Sequence, residues 1–131
     1  MTSNFLSLSI SKNNRIKEYG IYNLFIRMIS ANSKNNMLIR LTDERISHIF
    51  KNHPETKDCI SWFLETIEDP DFIIAGDFGE LLAVKLYDKT PVTNDKFLVI
   101  VYKETSKLDG FILTAYFSRS INKKRRIIWK P

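Results

Sequence analysis

The spacing of apolar and polar positions after residue 40 predicts a first helix. Thr42 is a good N-cap, and Asp43 and Glu44 follow in the first turn, where carboxylates suit the helix dipole. We expect the helix to end near Pro54, because the residue before a proline disfavours the α conformation. Its apolar side consists of Leu41, Ile46, Ile49 and Phe50.

A second helix is predicted to begin at Glu55 or Thr56 and to end at Glu68, before the Asp69-Pro70-Asp71 turn. Its apolar residues repeat at i, i+3, i+4 and i+7, which is the spacing of one buried helix face. These residues are Ile60, Phe63, Leu64 and Ile67.

The rest of the chain reads as strands, with Asp109-Gly110 as a hairpin signal between the last two. Short connections favour antiparallel neighbours. The sequence therefore predicts an α+β fold, with two N-terminal helices on one face of a four-stranded antiparallel meander. A fifth strand at 127–129 is an open alternative to a solvated tail. The four predicted strands are residues 72–77, 80–87, 97–103 and 111–119.

The first 36 residues differ in composition: stretches rich in Ser and Asn surround an apolar run that has neither helical nor strand periodicity. Such polar flanks are typical of loops. We expect residues 1–36 to form a partly ordered N-terminal extension and residues 37–131 to form the folded domain.

Strand alternation also sorts side chains between the two faces of the sheet. The larger apolar residues are expected to face the helices: Leu82, Val84, Leu86, Phe111, Leu113, Ala115 and Phe117. The opposite face would then carry Lys85, Tyr87, Thr114, Tyr116 and Ser118, with Ile112 among them. Cations, hydroxyls and aromatic rings suit RNA, although an ordinary solvated sheet face has a similar composition.

The charge is distributed unevenly along the 131 residues. Residues 1–40 carry a net charge of +5, residues 41–109 carry −6 and residues 110–131 carry +6. Basic ends suggest a polyanionic partner, RNA before membrane, or they merely maintain solubility. The cluster at 123–126, made of Lys123, Lys124, Arg125 and Arg126, is either a solvated tail or an RNA-docking element with Trp129 available for stacking.

Several kinds of chemistry lack their usual residues. The single cysteine, Cys59, excludes a disulfide framework and is better explained as a packed thiol than as a nucleophile. The four glycines are scattered, so we expect no phosphate-binding loop and no nucleotide cofactor. No apolar run approaches about 18 residues, and the start of the chain lacks the layout of a signal peptide. The expectation is a soluble cytoplasmic protein that has no membrane partner.

The two histidines, His48 and His53, are the best candidates for proton transfer, because imidazole titrates near neutrality. Five residues of a continuing helix would point the rings about 140° apart, so they are poor partners for one metal ion. A histidine at a helix end is also often only a cap or a packed ring.

The stretch from Leu41 to Glu55, which contains His-x-x-x-x-His-Pro, is followed by strands with Phe-Leu-Val-Ile-Val at 97–101 and Gly-Phe-Ile-Leu-Thr-Ala-Tyr at 110–116. Over residues 38–130 the chain resembles the phage-barnase-like (PBECR-type) members of the ribonuclease group that includes barnase, EndoU, the tRNA-cleaving colicins and RelE. The resemblance implies a helix-then-four-strand fold and a metal-independent endoribonuclease. It also implies a toxin or a phage or mobile-element effector, often restrained by an antitoxin or immunity protein.

Carried onto this chain, the resemblance assigns a role to each matching position. His53 would be the general base or acid and His48 its helper. Thr114 would donate to a phosphate oxygen, and Tyr116 would stack or donate. Lys85 would hold the phosphate, with Arg119 as a second candidate. Independently of the resemblance, strand alternation and charge predict that RNA also contacts Tyr87 and the cluster at 123–126. The alternative is a non-catalytic RNA-binding or protein-interaction module on the same fold.

Overall fold

The computed structural model describes residues 28–106 and 109–131 and shows an α+β fold. The two α-helices of this part of the chain are α1 (Asp43–Asn52) and α2 (Ile60–Glu68), with a 3-10 turn at Pro54–Thr56 between them. The strands are β1 (Met28–Asn32), β2 (Leu38–Thr42), β3 (Phe72–Ala75), β4 (Leu81–Lys89), β5 (Asn94–Ser106), β6 (Asp109–Ser118) and β7 (Ile127–Trp129).

These strands form one mixed sheet in the order β1-β2-β6-β5-β4-β3-β7. All neighbours are antiparallel except β2 and β6, which are parallel. The predicted four- or five-stranded antiparallel meander is therefore wrong in strand count and in pairing. The four predicted strands form only the middle of the sheet, and the segment at 127–129 does pair at its edge, with β3.

Two of the strands that the prediction omitted, β1 and β2, form a hairpin whose turn is the Ser- and Asn-rich stretch. The backbone of Ser33 exchanges hydrogen bonds with Met37 and Asn36, and Asn36 adopts a φ of 61°. The polar residues thus close a turn rather than mark a linker. Residues 28–36, which we assigned to the extension, belong to the sheet, while residues 1–27 lie outside the described residues.

Helix α1 begins and ends where its sequence signals predict. The Thr42 hydroxyl accepts a hydrogen bond from the Arg45 N–H at 3.2 Å, and the His53 N–H closes the last turn on the Ile49 carbonyl. The second helix begins later than predicted, at Ile60. Asp58 adopts a left-handed φ of 68°, which separates the 3-10 turn from α2.

The main apolar core lies between the helices and the sheet and includes Ile49, Phe63 and Ile100. A second apolar cluster covers the face of the sheet opposite the helices, here called the outer face. It contains Ile74, Leu82, Val84 and Val99, with Tyr116 and Ile121 packed against it. To reach the far side of β3, the chain must cross β5, β4 and β3 after it leaves β6. Residues 119–126, here called the crossing segment, make this passage, and their Ile121 covers the cluster.

The predicted orientation of β4 is consequently reversed. Leu82 and Val84 belong to the outer cluster, while Ala83 packs in the core beneath the helices, and Lys85 and Tyr87 follow on that helix side. In β6, Thr114 and Tyr116 lie on the outer face, as predicted. A register shift in which Tyr102 pairs with Ile112 and Val101 with Thr114 places Ile112 in the helix-side core, contrary to expectation.

The sheet curves around α2. This helix contacts β1, β4 and β5, and Trp129 of β7 packs against the same core. The two ends of the sheet come close enough for the Lys34 ammonium to lie 5.1 Å from the centre of the Trp129 ring. Helix α2 therefore sits inside a curved sheet whose outer face carries the features described next.

Candidate functional site

His53 occupies a fixed position at the end of α1. Its N–H donates to the Ile49 carbonyl at 2.7 Å, and its own carbonyl accepts from the Thr56 hydroxyl at 2.6 Å and the Thr56 N–H at 2.9 Å. Pro54 ends the α-helix and begins the 3-10 turn. The backbone thus holds the imidazole beside β6, which the 3-10 turn contacts.

The His53 ring lies between a carboxylate and a phenol. Its centre is 5.8 Å from that of the Tyr116 ring, and Nδ1 is 3.7 Å from Oε2 of Glu55. The side chain is 34% exposed, and no hydrogen bond to Nε2 is made by any residue that the structure describes. The Nε2 atom is thus open to a ligand on the side of the ring away from Glu55.

Tyr116 continues the group across the outer face. Burial raises the pKa of its phenol, and the positive charge of Arg125 opposes part of that rise. Thr114 is two residues away on the same strand and face. At neutral pH both hydroxyls are protonated, so both can donate hydrogen bonds.

Arg125 is held rigidly by the β3–β4 connection. Its guanidinium donates to both carboxylate oxygens of Asp77, at 2.8 and 3.2 Å, and to the Ala75 carbonyl at 3.2 Å. The hydrogen bond and the charge of Arg125 lower the pKa of the Asp77 carboxyl, and the hydrogen bond with Asp77 raises the pKa of Arg125. We call His53, Thr114, Tyr116 and Arg125 the outer-face group.

Lys85 does not join this group, because it lies on the other side of the sheet. Its Nζ donates to the Asp69 carbonyl at 2.9 Å and lies 3.3 Å from Oδ2 of Asp69, at the C-terminal end of α2. The expectation that Lys85 shares a face with Thr114 and Tyr116 is wrong. This cation stabilises the end of a helix instead.

Tyr87 lies on the helix side as well. Its hydroxyl donates to Oε1 of Glu65 at 2.6 Å, and its ring stacks on Trp62 at 4.6 Å and 11°. Burial, followed by the hydrogen bond to Glu65, raises the pKa of the phenol. Tyr87 therefore does not share a face with Thr114 and Tyr116, contrary to expectation, while its contact with RNA stays a prediction.

The remaining predicted residues are distributed over the surface. His48 is exposed on α1, and no described contact joins its ring to His53. Arg119 and Lys123 border a cavity on the outer face. Lys124 and Arg126 border a smaller, polar depression of about 400 Å³ next to Gly76 and Asp77.

The outer-face cavity has a volume of about 630 Å³. Phe72 and Phe97, which meet edge to face at 6.4 Å, form its floor together with Ile121 of the crossing segment. We call it the outer pocket, and its cations are Arg119, Lys123, Arg125 and Lys130. Sequence reasoning missed this pocket, although the isolated Ile121 between cations is a signal that the segment packs on the sheet.

The described residues, 28–106 and 109–131, show neither a metal-binding cluster nor a membrane-spanning helix. They contain no group of three or more His, Cys, Asp or Glu side chains placed to hold a metal ion. None of their helices has the length and apolarity required to span a bilayer.

No protein-family model, curated protein or solved structure matches this chain. The assignment of a function therefore depends on the chemistry of the outer-face group and of the adjoining outer pocket.

Proposed function

We propose that the protein is an endoribonuclease that cleaves RNA by attack of a ribose 2′-hydroxyl on the adjacent phosphorus. The observation that carries the proposal is the placement of the His53 imidazole against Tyr116, on the face where Arg125 also acts. This reaction needs a group that transfers protons and donors that bind the phosphorane oxygens. The imidazole is the first, and the hydroxyls and the guanidinium are the second.

In the proposed reaction, Nε2 of His53 accepts the proton of the 2′-hydroxyl as the bond from O2′ to phosphorus forms. The bond from phosphorus to O5′ breaks, and O5′ takes a proton from the imidazolium or from water. Oε2 of Glu55 lies 3.7 Å from Nδ1, on the side of the ring away from Nε2. Arg125 and the hydroxyls of Thr114 and Tyr116 donate to the phosphorane oxygens.

The surface around this group favours RNA as the substrate. Three cations of the outer pocket, Arg119, Lys123 and Lys130, form no ion pair with any described residue and can contact phosphates. We place the enzyme in the cytoplasm as a toxin or a phage or mobile-element effector, held in check by an antitoxin or immunity protein.

The direct test incubates the purified full chain with total RNA in EDTA. We expect fragments that end in 2′,3′-cyclic phosphate. The His53→Gln variant should cleave about 10²–10⁴-fold more slowly, the usual contribution of a positioned proton-transfer group. The Lys51→Ala variant is the control, because it changes an exposed side chain two residues away. Unchanged cleavage by a folded His53→Gln protein would remove His53 from the mechanism.

The outer pocket also favours a second candidate, a non-catalytic RNA-binding module. Cations around an aromatic floor can retain single-stranded RNA without cutting it. In the same assay this candidate predicts intact RNA whose retention weakens steeply with salt. Growth arrest on expression that His53→Gln relieves would favour the toxin over the binder, whereas intact RNA without retention would favour a protein-interaction module.

A further inference from the structure

The outer pocket and His53 lie along one line across the sheet. Phe72 pairs with Val84, Val84 with Val99, and Val99 with Tyr116, so these four residues form one cross-strand row on the outer face. Three strand spacings of about 4.8 Å place Phe72 about 14 Å from Tyr116. A short stretch of single-stranded RNA can span this distance.

The pocket combines an aromatic floor with cations at the rim. Phe72 and Phe97 give it two ring surfaces, and Arg119 and Lys123 come from the exposed crossing segment. On the wall, Oδ2 of Asp71 accepts the Leu86 N–H at 2.7 Å. The second oxygen of that carboxylate can accept an N–H from a ligand.

We propose that the outer pocket binds one unpaired nucleobase together with its phosphate. The base lies on the phenylalanine floor, and Arg119 and Lys123 bind the phosphate. The inference rests on the proposed function and deepens it, because it names a nucleotide subsite whose Phe72 lies about 14 Å from Tyr116. The subsite shares Arg125 with the outer-face group. Such a subsite selects unpaired RNA over duplex RNA, since a paired base cannot leave its stack without cost.

The charge and shape of the pocket distinguish a nucleotide from simpler anions. An inorganic phosphate could contact the cations but would leave the apolar floor in water, and an uncharged aromatic molecule would leave the cations unused. A volume of about 630 Å³ is within the usual range for small-molecule pockets and is ample for one nucleotide. Base and phosphate together satisfy both parts of the site.

Calorimetric titration of the full chain with 5′-AMP and 5′-GMP tests the proposal, with ribose 5-phosphate as the matched ligand that lacks a base. We expect both nucleotides to bind more tightly than ribose 5-phosphate. Phe72→Leu keeps an apolar side chain but removes the ring, and it should weaken nucleotide binding about 5- to 150-fold. The double variant Arg119→Glu, Lys123→Glu should weaken the binding of the nucleotides and of ribose 5-phosphate alike.

The control is Lys57→Glu, an exposed lysine outside the pocket, which should leave nucleotide binding unchanged. Should Phe72→Leu fail to fold in a urea titration, the charge variant on the exposed segment decides alone. The proposal is overturned by nucleotides that do not bind at millimolar concentration, by equal binding of ribose 5-phosphate, or by binding that the pocket variants leave intact.

The two proposals can fail separately. Nucleotide binding at this pocket with RNA that stays intact in the cleavage assay would refute the endoribonuclease and keep the subsite. Cleaved RNA with no nucleotide binding would keep the endoribonuclease and refute the subsite.

Discussion

Lys85 gives the sharpest test of the geometry, because its two possible roles predict different losses. If Lys85 binds phosphate, its replacement weakens RNA binding and leaves the stability of the fold unchanged. A lysine that donates to the carbonyl of Asp69, the residue that follows α2, affects stability and leaves RNA binding unchanged. Replacing Lys85 with Met removes the ammonium but preserves most of the apolar stem, so that the loss reports on the charge.

The size of the stability loss follows from the contacts of the ammonium. A hydrogen bond from a charged group to a carbonyl contributes about 1.5–3 kcal/mol. The Lys85 side chain is only 18% exposed, but its contact with the Asp69 carbonyl is open to water, so the lower part of this range applies. Its ion pair with Asp69 adds little, because the Asp69 side chain is 74% exposed. Since the freed carbonyl regains water at the helix end, we expect Lys85→Met to lower the free energy of unfolding by about 1–2 kcal/mol.

Urea unfolding followed by the fluorescence of Trp62 and Trp129 measures the loss, and retention on immobilised RNA measures the affinity. Lys89→Met is the matched control, since Lys89 lies at the end of the same strand and is exposed. We expect Lys85→Met to lower stability and to bind RNA as the control does. Normal stability together with lost RNA binding would show that the ammonium acts on the outer face and would refute the reversed orientation of β4.

Two further variants test the core. Burial raises the pKa of the Cys59 thiol to about 11. The folded and unfolded thiols are both protonated below about pH 8, and above it the unfolded chain ionises first, because its thiol keeps the ordinary pKa of 9.0. Stability should therefore fall by about 1 kcal/mol between pH 8 and pH 10, less so in Cys59→Ala, as urea titrations at each pH would show. Equal slopes would contradict the burial. In Gly110→Ala, the new methyl group would meet the Lys103 carbonyl and lie 2.8 Å from Cδ1 of Ile39, so thermal unfolding should reveal a loss of about 1–3 kcal/mol. An unchanged melting temperature would contradict this close approach.

The sequence predicted those elements whose signals are local. The Thr42 cap, the two acidic residues after it and Pro54 determine α1 within a dozen residues, and the structure confirms its bounds. The four middle strands were found because each is bounded by turn residues. In contrast, the β1–β2 hairpin was missed because its turn is polar and because Leu41, the last but one residue of β2, also fits the apolar side of α1.

The face assignment failed for a reason that lies far away in the chain. Alternation in β4 gives two sets of side chains, and the more apolar set was assigned to the helices. That set instead faces the crossing segment, which buries Leu82 and Val84 on the outer face. The helix side accepts Ala83 and Tyr87 because α2 packs there and supplies Glu65 for the phenol. Local alternation cannot reveal that both faces are covered.

The candidate site was predictable in part for the same reason. His53 and Tyr116 were both selected from the sequence, and the structure brings their rings together. The contribution of Arg125 depends on where the crossing segment passes, and its link to Asp77 spans 48 residues. The pocket around Phe72 and Phe97 likewise forms only where β3 and β5 meet the crossing segment and the residues that follow it.

The curvature of the sheet determines how its central helix can exchange amide protons with solvent. Helix α2 is flanked by β1 on one side and by Trp129 on the other, and the Lys34 ammonium joins these two margins over the indole. The buried side chains of α2, such as Phe63 and Ile67, lose this packing only after one margin lifts. Protection in α2 should therefore decline together with protection in whichever margin opens first, so that an exchange experiment identifies the weaker side of the enclosure.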